Sequence, residues 1–221
     1  MIEIDKNEKR EIIARRIAKE FRDGYNVNLG VGMPSLVANY LPEGVNVLLH
    51  GENGMLGMGE HESEHDMQYN CVDAGGAPVK VVSGGAFFDS CGAFAMARGG
   101  HLDCTVLGAL EVDEKGNLAN WWVPGVRMPG MGGAMDIVVG AKRVIISMEH
   151  ASKGKPKILT NCRLPLTAVG CVDTIVTELG YFKVTEKGLV IKEKHPAFSL
   201  EEIQTLTEAK LIVEDEVIDM F

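Results

Sequence analysis

Val45-Asn46-Val47-Leu48-Leu49 runs through His50 into Gly51-Glu52-Asn53-Gly54, and this junction decides the fold. The first stretch is short, mostly apolar and without a helical repeat. It reads as a strand of the kind buried on both faces of a parallel sheet. The second is a sharp polar turn. A parallel sheet needs covering helices between its strands, and the rest of the chain supplies them.

Upstream, residues 7–22 predict an amphipathic helix, with Ile13, Ile17 and Phe21 at four-residue spacing and Lys9, Arg10, Arg16 and Arg22 on the other face. Asp23-Gly24 ends it, and Tyr25–Leu29 predicts a strand. A glycine turn, Gly30-Val31-Gly32-Met33-Pro34, leads to a short helix over 35–40. Downstream, strands are expected at Val79–Ser83, Cys104–Gly108, Ile137–Val139, Val144–Met148, Thr174–Thr177 and Leu211–Val213, with helices over Phe87–Arg98 and 200–209. The alternation predicts an α/β fold, an open, largely parallel sheet flanked by helices, in a single domain over residues 1–221.

Composition narrows the function. A net charge of −9 argues against a nucleic-acid partner, which needs a basic face. Small anions remain open, since glycine turns and helix N-termini hold them without net charge. Met1 to Phe21 is charged throughout and reads as neither signal nor transit peptide, and no apolar run is long enough to span a membrane. Cys71, Cys91, Cys104, Cys162 and Cys171 lack C-x-x-C spacing and read as reduced thiols of a cytoplasmic protein.

Glu52 is the principal candidate for chemistry. It lies just past the carboxyl end of a buried strand, where ligands bind in open α/β sheets, and Gly51, Gly54, Gly57 and Gly59 leave it unshielded. Position alone also admits an ordinary surface-turn glutamate. Gly130-Met131-Gly132-Gly133-Ala134-Met135-Asp136 forms a second candidate. Consecutive glycines let backbone N–H groups converge, as in an oxyanion hole, with a sterically required turn as the alternative. Gly30, Gly32 and Pro34 resemble a phosphate loop but lack the third glycine of the dinucleotide fingerprint. His61-Glu62-Ser63-Glu64-His65 spells the zinc-hydrolase string H-E-x-x-H, which works only on a helix. Glu60, Glu62, Glu64 and Asp66 leave that segment no apolar face, so it reads as a solvated loop, with no metal expected. Trp121 and Trp122 are candidates for a pocket wall or for core packing.

Gly51–Gly59 resembles the catalytic-glutamate motif of family I coenzyme A transferases. Further stretches resemble that family in the same order: Asn28–Pro34, Arg98–Asp103, Leu107–Ala109, Leu118–Trp121, 129–136, Met148–His150 and Pro165–Thr167. The resemblance covers about residues 7–213 and is to the B (beta) subunit of acetoacetate-type enzymes, or to the C-terminal half of the fused mitochondrial 3-oxoacid enzyme. It implies Glu52 as nucleophile, with Gly132 and Gly133 as backbone donors to the oxyanion. It also implies coenzyme A contacts at Gly30, Gly32, Pro34, Asn53, Gly133 and Ala134. Coenzyme A and acyl-CoA would be substrates, with no bound cofactor, and a separate A (alpha) subunit would complete an α2β2 assembly. Many members continue the motif with Gly-Pro-x-Pro, whereas here Gly59 is followed by Glu60-His61-Glu62, which bears on substrate choice. The competing readings are a zinc hydrolase using His61 and His65, and a non-catalytic coenzyme A-binding module.

Overall fold

The computed structural model describes residues 4–61, 71–126, 128 and 130–221. Helix α1 (Lys6–Ala18) opens the chain, capped by the Asp5 side chain, which accepts from the Asn7 amide at 2.8 Å. Strand β1 (Asn26–Leu29) leads through the glycine turn to a 3-10 helix, Pro34–Tyr40, and then to β2 (Leu48–Gly51). Strands β3 (Met55–His61) and β4 (Val79–Phe87), helix α2 (Ser90–Arg98) and strand β5 (Cys104–Leu107) follow. Short strands β6 (Glu111–Asp113) and β7 (Leu118–Ala119) precede helix α3 (Ala134–Gly140) and strand β8 (Val144–Ser147). Three short strands come next, β9 (Ala151–Ser152), β10 (Lys155–Pro156) and β11 (Ile158–Leu159). The chain finishes with β12 (Thr174–Val176), β13 (Gly180–Thr185), β14 (Gly188–Lys194), α4 (Leu200–Thr205), β15 (Leu211–Ile212) and β16 (Ile218–Asp219).

Among the described residues the main sheet runs β15-β14-β13-β12-β8-β5-β1-β2-β3-β4, with β16 also on β14. Its central strands β12, β8, β5, β1 and β2 are all parallel. Antiparallel wings extend it, β3 and β4 at one side, β13 and β14 at the other. The fold is therefore the expected open, largely parallel α/β sheet with a more mixed margin. Both faces of the centre are covered. Val144 and Ile146 join one apolar cluster, with Phe182, Leu118 and Ile203, while Ile145 between them joins another, with Ile13 and Ile17 of α1. That two-residue alternation with both sides buried is why these strands read as continuous apolar runs.

Several expected elements shift. The expected strand at Ile137–Val139 is part of α3. Ile137 and Val138 are buried but Val139 is 79% exposed, so these three residues meet the core on a helical stripe. A run that short does not separate the two periods. Helix α1 stops at Ala18, and Glu20 and Phe21 close a tighter turn by bonding to Ile17 and Ala18. Strand β2 lies three residues later than expected, so it ends directly at Gly51.

The N-terminal helix is clasped to the far wing by the buried Arg16 and half-buried carboxylates. Arg16 donates to both carboxylate oxygens of Glu193, at 2.5 and 2.6 Å, and to Glu20 at 2.6 Å, and its guanidinium lies 4.0 Å from the Tyr181 ring centroid. Arg143 reaches the other oxygen of Glu20 at 2.5 Å. Burial would raise the Glu20 carboxyl, but Arg16 and Arg143 outweigh it and hold it below its ordinary 4.5. Its contribution to stability is thus complete above that value and is lost as pH falls through the depressed one. Arg16→Met leaves two half-buried carboxylates without their shared partner, Glu20 keeping Arg143 and Glu193 losing both its hydrogen bonds to Arg16. Urea unfolding is expected to show a loss of about 3–5 kcal/mol, and an unchanged midpoint would contradict the clasp.

Candidate active site

The strand order reverses at β1. The chain passes from β1 to β2 on one side and later to β5 on the other. The carboxyl ends of parallel strands part at such a point, and a ligand crevice opens there. A cavity of about 600 Å³ occupies this place. Its walls include Asn28 to Val31 at and beyond the end of β1, His50 to Glu52 at and beyond the end of β2, Leu107 of β5, and Met131 to Ala134 at the start of α3.

Glu52 is held by its turn. The Gly54 amide donates to the Gly51 carbonyl at 3.0 Å, which makes Glu52 and Asn53 the central pair of the turn between β2 and β3. Gly54 has φ +115°, and a side chain there would run into the Phe88 carbonyl, while the Phe88 amide bonds the Gly54 carbonyl at 3.0 Å. Only glycine permits this approach. The Asn53 carboxamide donates to the Val72 carbonyl at 2.8 Å and ties the turn to the neighbouring loop.

The Glu52 side chain is half-buried, and among the described residues no ion-pair or hydrogen-bond partner takes its carboxylate. Its oxygens face the two glycines. A β-carbon built on Gly132 would lie 3.8 Å from Oε1, and one on Gly133 would collide with Oε2 and with the Phe94 ring. Among the described residues the Gly132 and Gly133 amides also donate to no protein acceptor. A free carboxylate thus meets two unused backbone donors, the elements of a nucleophile beside an oxyanion site. Helix α2 sets this distance, because Phe94 packs on Gly133 and Arg98 binds Asp136 of α3 at 2.8 Å.

The remaining candidates divide. Gly30 and Ala134 line the cavity together with Glu52, Gly132 and Gly133. Gly30 is tightly placed, with its amide on the Val106 carbonyl at 2.8 Å and the Leu107 side chain 3.2 Å from where a β-carbon would sit. Gly32, Pro34 and Asn53 are not in the cavity wall. Gly32 turns the loop at φ +92°, and Pro34 starts the 3-10 helix. Trp121 and Trp122 pack on each other at 5.6 Å, away from the cavity. His61 is the last residue of β3, paired with Val79, so the H-E-x-x-H string does not begin on a helix; Glu62 to His65 lie outside the described residues. Phe94 and His50 escaped the sequence reading. Phe94 gives no signal in a pattern of small and apolar residues, whereas His50 is flagged only by standing two positions before Glu52 on a buried strand.

Among the described residues the walls carry the carboxylates Glu52, Glu60 and Asp73 but no lysine or arginine. Apolar residues, including Leu41, Val45, Val47, Leu49 and Val82, make up much of the rest. Such a cavity suits an uncharged or apolar portion of a substrate better than a phosphate group. No described helix is long and apolar enough to cross a membrane.

Comparison with known proteins agrees with this geometry. The family model for coenzyme A transferase matches residues 10–205. The chain is 54% identical over 212 residues to the acetate CoA-transferase subunit beta of Haemophilus influenzae, covering 96% of this chain and 95% of that protein. It is 46% identical to the mitochondrial succinyl-CoA:3-ketoacid coenzyme A transferase 2A of Rattus norvegicus, covering 92% of this chain and 40% of that longer protein. Among solved structures, the acyl-CoA transferase of Escherichia coli O157:H7 superposes with a TM-score of 0.77 at 23% identity, over all of this chain and 44% of that one. Glutaconate coenzyme A-transferase from Acidaminococcus fermentans gives a TM-score of 0.72 at 18% identity, covering 95% and 87% of the two chains; both likenesses are of fold. By sequence along nearly its whole length, then, this chain belongs to the coenzyme A transferase family and is an enzyme of that class.

Proposed function

We propose that this chain is the catalytic beta subunit of a coenzyme A transferase that carries the acyl group, and then coenzyme A, on Glu52. The observation that supports this most is the Glu52 carboxylate, paired by no described residue and set against Gly132 and Gly133 in the cavity. The ionised carboxylate attacks the thioester carbonyl of the donor acyl-CoA, and the glycine amides stabilise the oxyanion. Collapse gives an acyl–glutamyl anhydride and the coenzyme A thiolate. The thiolate attacks the glutamyl carbonyl, forms a glutamyl-CoA thioester and releases the donor acid. An acceptor carboxylate reverses these steps and leaves with coenzyme A. Thioester energy is conserved at each stage, so no ATP or metal enters the scheme.

The substrates are short-chain acids, in keeping with the acetate and 3-ketoacid names of the relatives. The partner is an alpha subunit, by analogy with relatives named as beta subunits, in an α2β2 assembly. The phosphates of coenzyme A are received outside the cavity, whose described walls offer them no cation. Fold alone does not choose the chemistry, since a decarboxylase, AibA/AibB, shares it at a TM-score of 0.70. The carboxylate at position 52 favours transfer.

The direct test mixes the reconstituted two-subunit enzyme with acyl-CoA and no acceptor. The Glu52 peptide is expected to gain coenzyme A by mass, and borohydride is expected to reduce that side chain to the alcohol. Turnover with an unmodified Glu52 peptide would refute the covalent route. A panel of acetate, butyrate, acetoacetate and succinate as acceptors then ranks the substrates.

A further inference from the structure

His50 is fully buried in the cavity floor, two residues before Glu52. Its Nε2 lies 3.1 Å from the Ala93 carbonyl oxygen of α2, and its Nδ1 lies 3.5 Å from Asn28 Nδ2. The hydrogen-bond chain allows one arrangement of protons. The His50 backbone carbonyl can only accept, and it takes a bond from Asn28 Nδ2 at 3.2 Å, which fixes the orientation of that carboxamide. Asn28 Oδ1 then accepts from the Thr105 hydroxyl at 3.1 Å. Ala93 O can also only accept, so the imidazole carries its proton on Nε2 and presents a lone pair at Nδ1 toward the Asn28 donor. Burial favours this neutral form.

Three neighbouring strands are linked in this way, β5 through Thr105, β1 through Asn28 and β2 through His50, and the last link crosses to α2. Ala93 is followed by Phe94, the ring that abuts Gly133. The one bond from His50 Nε2 therefore couples the strand that leads into Glu52 to the helix that sets the glycine turn. We propose that His50 is a positioning residue for the transfer reaction, acting through Ala93 and Phe94 to hold the Gly132–Gly133 donors at their distance from the Glu52 carboxylate. The proposal rests on Glu52 being the nucleophile.

The test compares H50Q, whose side-chain amide still donates to Ala93 O, with H50N, which is too short to reach it, in the two-subunit enzyme. For H50N, kcat is expected to fall on the order of 10²-fold, the scale of an ångström-sized misplacement of reacting groups. KM for acyl-CoA is expected to change less than about 3-fold, because binding through the rest of coenzyme A is untouched. H50Q is expected to recover most of kcat. The Glu52 adduct is expected to form slowly in H50N and near-normally in H50Q. Equal impairment of both variants, an effect confined to KM, or a fall in melting temperature with kcat unchanged would each overturn the positioning role. Absence of the adduct in the unsubstituted enzyme would instead refute the nucleophile itself, so the two failures are distinguishable.

Discussion

Glu52→Gln is expected to abolish coenzyme A transfer while leaving the protein folded. Glutamine keeps the shape of the side chain but removes the anion that attacks the thioester. Losing a covalent nucleophile costs on the order of 10⁴-fold or more in kcat. Stability is expected to stay within about 0.5 kcal/mol, since no described residue pairs with this carboxylate and none is stranded by the change. Thioester exchange between labelled acid and acyl-CoA measures the first, and thermal unfolding the second. A variant that transfers at near-normal rate would remove Glu52 from the chemistry, whereas one that unfolds would show it to be a structural residue.

Gly133→Ala is expected to have the next largest effect, for a steric reason. The φ of Gly133 is −85°, which alanine adopts freely, so the backbone is no obstacle. The added methyl would meet Glu52 Oε2 and two carbons of the Phe94 ring at 2.6 Å. One of the two must move, and displacing the carboxylate by an ångström costs about 10²-fold in kcat. Overpacking against Phe94 adds a stability loss of about 1–3 kcal/mol. Gly132→Ala is the informative contrast. Its methyl is in ordinary contact at 3.8 Å, but its φ of +56° is left-handed, so its cost is conformational, about 1–2 kcal/mol, with less effect on turnover. Steady-state rates and unfolding midpoints of the two variants separate these causes. Equal losses of kcat would contradict the contact between Gly133 and Glu52.

The centre of the fold was legible because it obeys one rule. Val106, Ile145, Ile146, Ile175 and Val176 are apolar without alternation, as strands covered on both faces must be. The wings were not. The β13–β14 hairpin turns at Glu186-Lys187, without the Asn-Gly or Asp-Gly pair that marks such turns, and its strands mix lysines with apolar residues. Ile137–Val139 reads as a strand although it belongs to α3, because three residues span less than one helical turn. At the site, Glu52, Gly132 and Gly133 could be read as a group from glycine spacing and from motif likeness. Gly32 and Pro34, expected beside them, shape the loop after β1 and lie outside the cavity wall. Spacing marks where the backbone is permissive, but packing decides which permissive points face one another. Phe94, which brings the α3 turn onto Glu52, belongs to that second kind of information.

The Arg16–Glu193 clasp joins residues 177 positions apart. At a synthesis rate of about 5–20 residues per second, the carboxylate emerges roughly nine to thirty-five seconds after the arginine it will bind. Until then Ile13 and Ile17 lack the Tyr181 side of their cluster, and Arg16 has only Glu20 for company. The N-terminal helix can pack early on Val27, Leu49 and Val106, but its charged clasp forms only when β14 has been made and the long intervening loop closes.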